Sequence, residues 1–106
     1  MVEQRRARRF RLHLPLSIAR FGEYARLDGF TRNVSSRGVL FTTARVPDLG
    51  GSIMYLIVLK DEGAQSISLR CIGRVLRADL IGTKQNYQVA ATLERYEFVR
   101  SHSRSI

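Results

Sequence analysis

Several residue types are scarce in this 106-residue chain, and each scarcity closes a class of function. There is one cysteine, Cys71. A single thiol makes no internal disulfide and no cysteine-rich zinc site. Cys71 sits among Ile67, Leu69 and Val75, where it reads as a small buried hydrophobe. The two histidines, His13 and His102, have no partner at metal-ligand or Ser–His spacing. The nine acids fall mostly in loops and turns and form no paired arrangement. No Walker loop and no GxGxxG is present. An enzyme is therefore not expected, nor a metal site or a cofactor. No apolar run reaches the length of a membrane-spanning helix, so membrane insertion is not expected. Met1 to Arg11 is too basic for a secretory signal, which points to a cytoplasmic location. Whether the chain is whole or part of a longer protein stays open.

Lysine is scarce too. Lys60 and Lys84 are the only two, in a chain of net charge +9 with 18 basic residues. The excess points to an anionic partner. Arginine presents a planar fork of donors that matches phosphate and the guanine edge, whereas lysine is a point charge. A GC-rich coding preference would raise the same count, so position matters more than number. Arg5, Arg6, Arg8, Arg9 and Arg11 crowd the first residues against one acid, Glu3. Such a segment is expected to order only around an anion.

What is present is a β pattern. Leu12, Leu14, Leu16 and Ile18 alternate with polar residues and Pro15, the period of a half-buried strand. Tyr24 to Val34 reads as the returning strand, and Asn33 to Gly38 as a turn. A strand starts at Gly38, a central one runs Ile53 to Leu59, and a long one runs Ser66 to Leu80, bent at Gly73. Tyr87 to Leu93 reads as the last strand, and Glu94 to Ile106 as a short helix with Tyr96 and Val99 inward. Strands at this spacing, separated by Gly, Pro and Asn, imply an antiparallel barrel or sandwich. The length suits one domain.

Two features could bind. Arg5 and Arg9 stand four apart just before the first strand, and each could hold guanine O6 and N7 or two phosphate oxygens. Asn33-x-Ser35-x-x-Gly38 reads as a tight turn with outward polar side chains, Gly38 supplying a positive φ. Either feature alone is a common surface pattern. Together and in this order, they resemble the PilZ domain, a family of bacterial receptors for the second messenger cyclic di-GMP. The resemblance covers nearly the whole chain. It implies an all-β, six-stranded antiparallel β-barrel with a short C-terminal helix. Residues 1–11 would be a flexible arginine-rich arm and residues 12–106 the barrel. It also implies cyclic di-GMP as ligand, held by Arg5, Arg9, Asn33, Ser35 and Gly38, with Arg6, Arg8 and Arg37 as secondary phosphate contacts. The arm would close over the ligand and change contacts with a protein partner or a fused domain. Asn33 stands where the family more often has Asp, which implies weaker affinity. Gln4 precedes Arg5 where the family's two-ligand binders carry arginine, which leans toward one ligand. The alternatives are a degenerate PilZ module that binds only protein, and a barrel that binds nucleic acid. The latter would stack bases on Phe10, Tyr24 or Phe41. Few aromatics stand on alternating strand positions, which counts against it.

Overall fold

The computed structural model describes residues 8–20, 23–24, 28–45, 49–62, 65–82 and 86–102. These residues form eight strands. They are β1 (Pro15–Arg20), β2 (Glu23–Tyr24), β3 (Gly29–Val34), β4 (Gly38–Thr43), β5 (Ser52–Glu62), β6 (Gln65–Ile81), β7 (Asn86–Thr92) and β8 (Arg95–His102). All pairings are antiparallel, and six strands run β1-β3-β4-β7-β6-β5 before β5 returns to β1. The result is a closed barrel, which removes the unpaired edges a flat sheet would leave. Among the described residues, no helix is long and apolar enough to cross a membrane.

Period two decides what enters the barrel. Leu16 and Ile18 of β1, Val39 and Phe41 of β4, and Tyr55 and Ile57 of β5 are buried. Ile53 of β5, Leu69, Cys71 and Val75 of β6 and Val89 and Ala91 of β7 complete the core. Phe41 and Tyr55 meet with ring centroids 6.0 Å apart, and the fully buried Tyr55 hydroxyl donates to the Thr92 carbonyl at 3.0 Å. That bond satisfies the one polar atom this side chain carries inside. Cys71 is wholly buried, as its neighbours in sequence imply.

Three expectations are corrected. Tyr24 to Val34 is not one strand: β2 pairs with the end of β1, and β3 starts only at Gly29. Between them the Asp28 carboxylate accepts from the Ile18 N–H at 2.7 Å, and the Asp28 N–H donates to the Leu16 carbonyl at 2.9 Å. These bonds tie Asp28 to β1 outside any strand, and residues 25–27 lie outside the described residues. The expected C-terminal helix is replaced over residues 95–102 by β8, and residues 103–106 lie outside the described residues. The cause is the length of β6. Its second half, from Val75, pairs with β7, while Gln65 to Ile72 would have an unpaired edge that β8 fills. Tyr96 consequently stands 56% exposed rather than inward, while Val99 is half-buried. Gly73 lies where β7 gives way to β8. A Cβ there would come 1.8 Å from the Thr92 carbonyl oxygen, so only glycine admits the crossing.

Candidate functional site

Two β-bulges build the site. In β3 the register against β4 shifts between Thr31 and Asn33, so Arg32 is the extra residue. Without the bulge Asn33 would point inward like Thr31, two residues earlier. With it, Thr31 pairs with the buried Phe41, and Asn33 pairs with Leu40 on the outer face. In β6 the register against β7 shifts between Val75 and Arg77. Val75 stays in the core opposite Ala91, while Arg77 joins Ala90 on the outer face. Leu40 in turn pairs with Ala90. The side chains of Asn33, Leu40, Ala90 and Arg77 therefore make one cross-strand row over β3, β4, β7 and β6. Small Ala90 leaves depth in the middle of it.

Above this row lies a cleft of about 340 Å³. Arg9, Asn33, Ser35, Arg37, Gly38 and Arg77 line it, with Leu40, Leu76 and Ala90 as apolar floor and wall. No acidic residue lines it among the described residues. Its size is that of a small-molecule site. Leu76, the extra residue of the β6 bulge, stands 65% exposed at the rim.

The leader reaches the cleft because it is tied to β3. Phe10 and Val34 exchange backbone hydrogen bonds at 2.9 Å in each direction. Farther along, the Thr31 hydroxyl accepts from the Leu14 N–H at 2.9 Å and donates to the Leu12 carbonyl. The Thr31 N–H donates to the Leu14 carbonyl at 2.9 Å. Arg9 precedes the first of these ties and is thereby held at the cleft. Arg8 does not line it; its guanidinium lies 5.9 Å from the centroid of the Phe10 ring. Arg5 and Arg6 lie outside the described residues.

The turn from Asn33 to Gly38 is closed by Ser35. Its hydroxyl accepts from the N–H groups of Arg37 and Gly38 at 3.1 and 3.2 Å, and it donates to the Gly38 carbonyl at 3.2 Å. The Ser35 side chain thus borders the cleft while its polar atom is engaged in the turn. Asn33 has no hydrogen-bond partner for its amide among the described residues. Gly38 is not in the left-handed region, contrary to expectation; positive φ occurs instead at Gly50 and Gly82. Its requirement is closeness: a Cβ would stand 3.0 Å from the Ala91 carbonyl oxygen, across the β4–β7 ladder. The Arg37 carbonyl, meanwhile, accepts from the Leu93 N–H at 2.8 Å, fastening the turn to the end of β7.

Sequence reading missed Arg77, Leu76 and Ala90 as site residues. Ala90 is there by plain alternation on β7, whereas Leu76 and Arg77 reach the cleft only through the β6 bulge, a pairing event that nothing local marks. Arg70 and Arg74, another RxxxR, do not line the cleft and pair with Glu97 at 2.7 Å and Glu94 at 3.2 Å. Arg77 pairs with Asp79 at 3.0 Å, but Arg9 and Arg37 have no ion pair among the described residues. Of the aromatics considered for base stacking, Phe41 is wholly buried, Phe10 is exposed, and the Tyr24 side chain lies outside the description.

No model of a known protein family matches the chain, and no curated protein matches it. A solved structure of the Bacillus subtilis inhibitor of motility, MotI/DgrA, matches it with a TM-score of 0.70 at 16% sequence identity. The match covers 91% of this chain and 45% of that one, so this chain spans less than half the length of that protein. At this identity the likeness establishes the fold, a closed six-stranded antiparallel barrel.

Proposed function

We propose that this chain is a non-enzymatic receptor domain for cyclic di-GMP, bound on the outer wall of the barrel under its arginine leader. One observation carries the reading. Arg9, Asn33, Ser35, Gly38 and Arg37, chosen from sequence, all border a single cleft, and that cleft has no acidic side chain among its described lining. Arg9, Arg37 and Arg77 supply forked cationic donors suited to phosphate oxygens or the guanine Hoogsteen edge. Asn33 offers an amide that both donates and accepts, and its partners are free to be a base edge. Leu40, Leu76 and Ala90 give the apolar surface on which a base plane would rest. Arg5, four residues before Arg9, is assigned to the same ligand by the PilZ resemblance alone. The fold shared with a Bacillus motility inhibitor is compatible with a signalling role for this chain and its contact with a protein partner or fused domain.

Ligand binding would stiffen the leader against the wall and present a new surface to a partner. Ordering each leader residue costs roughly 1–2 kcal/mol. Charge-assisted hydrogen bonds of about 1.5–3 kcal/mol each offset that cost.

Titration calorimetry with cyclic di-GMP tests the proposal. Saturable binding to one site, persisting when salt is raised and in the presence of excess single-stranded DNA, supports it. Binding that is carried by DNA and falls steeply with salt, with no heat from cyclic di-GMP, replaces it with the nucleic-acid reading.

A further inference from the structure

A second polar cleft opens on the other side of Asn33. It has a volume of about 380 Å³ and is lined by Arg11, Leu12, His13, Thr31, Arg32 and Asn33. Its origin is the same bulge. Leader and β3 are tied at Phe10–Val34 and again where Leu12 and Leu14 meet Thr31. Between the ties the leader and the bulged segment of β3 part around Arg32, and the gap is the cleft.

Three properties of this gap point to a ligand. Its charged lining is cationic: Arg11 and Arg32 contribute and no carboxylate does. Neither arginine forms an ion pair among the described residues. Arg32 instead donates to the neutral Gln88 amide oxygen at 3.3 Å, which orients the guanidinium without neutralising it. Finally, His13 lies flat on Phe30, with ring centroids 4.5 Å apart and planes within 3°. His13 is exposed and borders the cleft, which leaves its ring accessible to another planar group.

Cations beside a ready-made aromatic step are what a nucleotide needs. Phosphoryl oxygens accept bidentate bonds from arginine, and a base extends an existing stack whatever its identity. We propose that this cleft is a second nucleotide-phosphate subsite, in which Arg11 and Arg32 hold the phosphoryl group and His13 carries the base. It shares Asn33 with the first cleft. Its occupant is either the far half of a dinucleotide lying across Asn33 or a separate nucleotide. The subsite does not depend on the identity given above for the first ligand.

The test follows the His13 ring protons by NMR, assigned by their loss in His13→Gln. The probe is guanosine 5′-monophosphate, added to the Arg9→Ala protein so that the first cleft is weakened. The inference expects the His13 signals to move upfield and saturate. It expects the Arg11→Ala/Arg32→Ala double variant to need at least about fivefold more nucleotide. Inorganic phosphate should compete without the upfield shift. In the wild-type protein, His13 shifts that saturate together with cyclic di-GMP binding identify the far half of that ligand. Shifts by guanosine monophosphate with cyclic di-GMP already bound identify a separate nucleotide. His13 signals that no nucleotide moves, or that move equally in the double variant, overturn the inference. Loss of cyclic di-GMP binding in Arg9→Ala with an unresponsive His13 would sink this subsite alone. A responsive His13 with no cyclic di-GMP binding would sink only the first reading.

Discussion

Thr31 is the fastening on which the leader's position rests, and replacing it by valine separates packing from hydrogen bonding. The side chain is wholly buried, yet its hydroxyl bonds to the backbone of Leu12 and Leu14, just after the arginine segment. Valine keeps the shape and removes both bonds. The Leu12 carbonyl sits in a residue 39% exposed, so water can replace its partner at little cost. Leu14 is half-buried, and its N–H left unmatched costs about 1–3 kcal/mol. The added methyl recovers up to about 0.8 kcal/mol by burial. The net loss is roughly 0.2–2 kcal/mol, or about 1–16 °C in Tm for a domain of this size. Thr31→Ser is the control, since it keeps the bonds and loses only a methyl group. Because the two variants can lose similar overall stability, the deciding assay is amide hydrogen exchange. In Thr31→Val the Leu14 amide should exchange about tenfold faster than in Thr31→Ser, and the Val34 amide, bonded to Phe10, should follow it. Affinity for cyclic di-GMP should fall in the valine variant because Arg9 is no longer held over the cleft. Equal Leu14 protection in the two variants would refute the claim that this hydroxyl positions the leader.

Arg9→Ala should weaken cyclic di-GMP by at least about tenfold in calorimetry, the loss expected of one charge-assisted bond. Its melting temperature should stay at the wild-type value, because the Arg9 side chain is exposed and makes no ion pair among the described residues; Arg70→Ala, on the far face with Glu97, should bind normally. Ala90→Leu should fill the centre of the outer row and remove binding, with stability within about 0.5 kcal/mol of wild type because the side chain points away from the core; a leucine variant that binds like the parent would dismiss the cleft. Stability should fall in alkali. Burial pushes the Cys71 thiol up to about 12, and burial foremost, then the charges of Cys71 and Glu94, raises the Tyr55 phenol above its usual range. Below about pH 8 both states keep these protons; above it the unfolded chain releases first the thiol proton and then the phenol proton and is favoured, by at most about 1.4 kcal/mol per pH unit per group. Urea midpoints at about pH 8 and pH 10.5 measure this, and Cys71→Ala should flatten part of the slope; identical midpoints would contradict it.

What the sequence disclosed and what it hid divide along the distance over which each cause acts. The turn at Asn33, Ser35 and Gly38 is written in local chemistry, since Ser35 bonds within its own turn. The strands were legible because alternation alone sorts Leu16, Phe41, Tyr55 and Val89 inward. Alternation also misleads wherever a bulge intervenes. Counting by two from Thr31 sends Asn33 into the core, and counting by two from Val75 sends Arg77 there as well. The structure turns both outward because the partner strand supplies one residue where they supply two. The C-terminal segment fails for a related reason. Tyr96 and Val99 stand three apart, which suits a helix, but Tyr96 and Phe98 also stand two apart, which suits a strand. The choice is made by the unpaired edge of β6, sixty to seventy residues into the chain, and not by residues 95–102 themselves. The two bulges fall on the same cross-strand row, and their coincidence is what shapes the cleft wall. One alone would put either an amide or a guanidinium outside, without the other facing it across Leu40 and Ala90. The candidate residues visible in sequence are thus one half of the cleft, and the half contributed by β6 and β7 exists only once the barrel has closed.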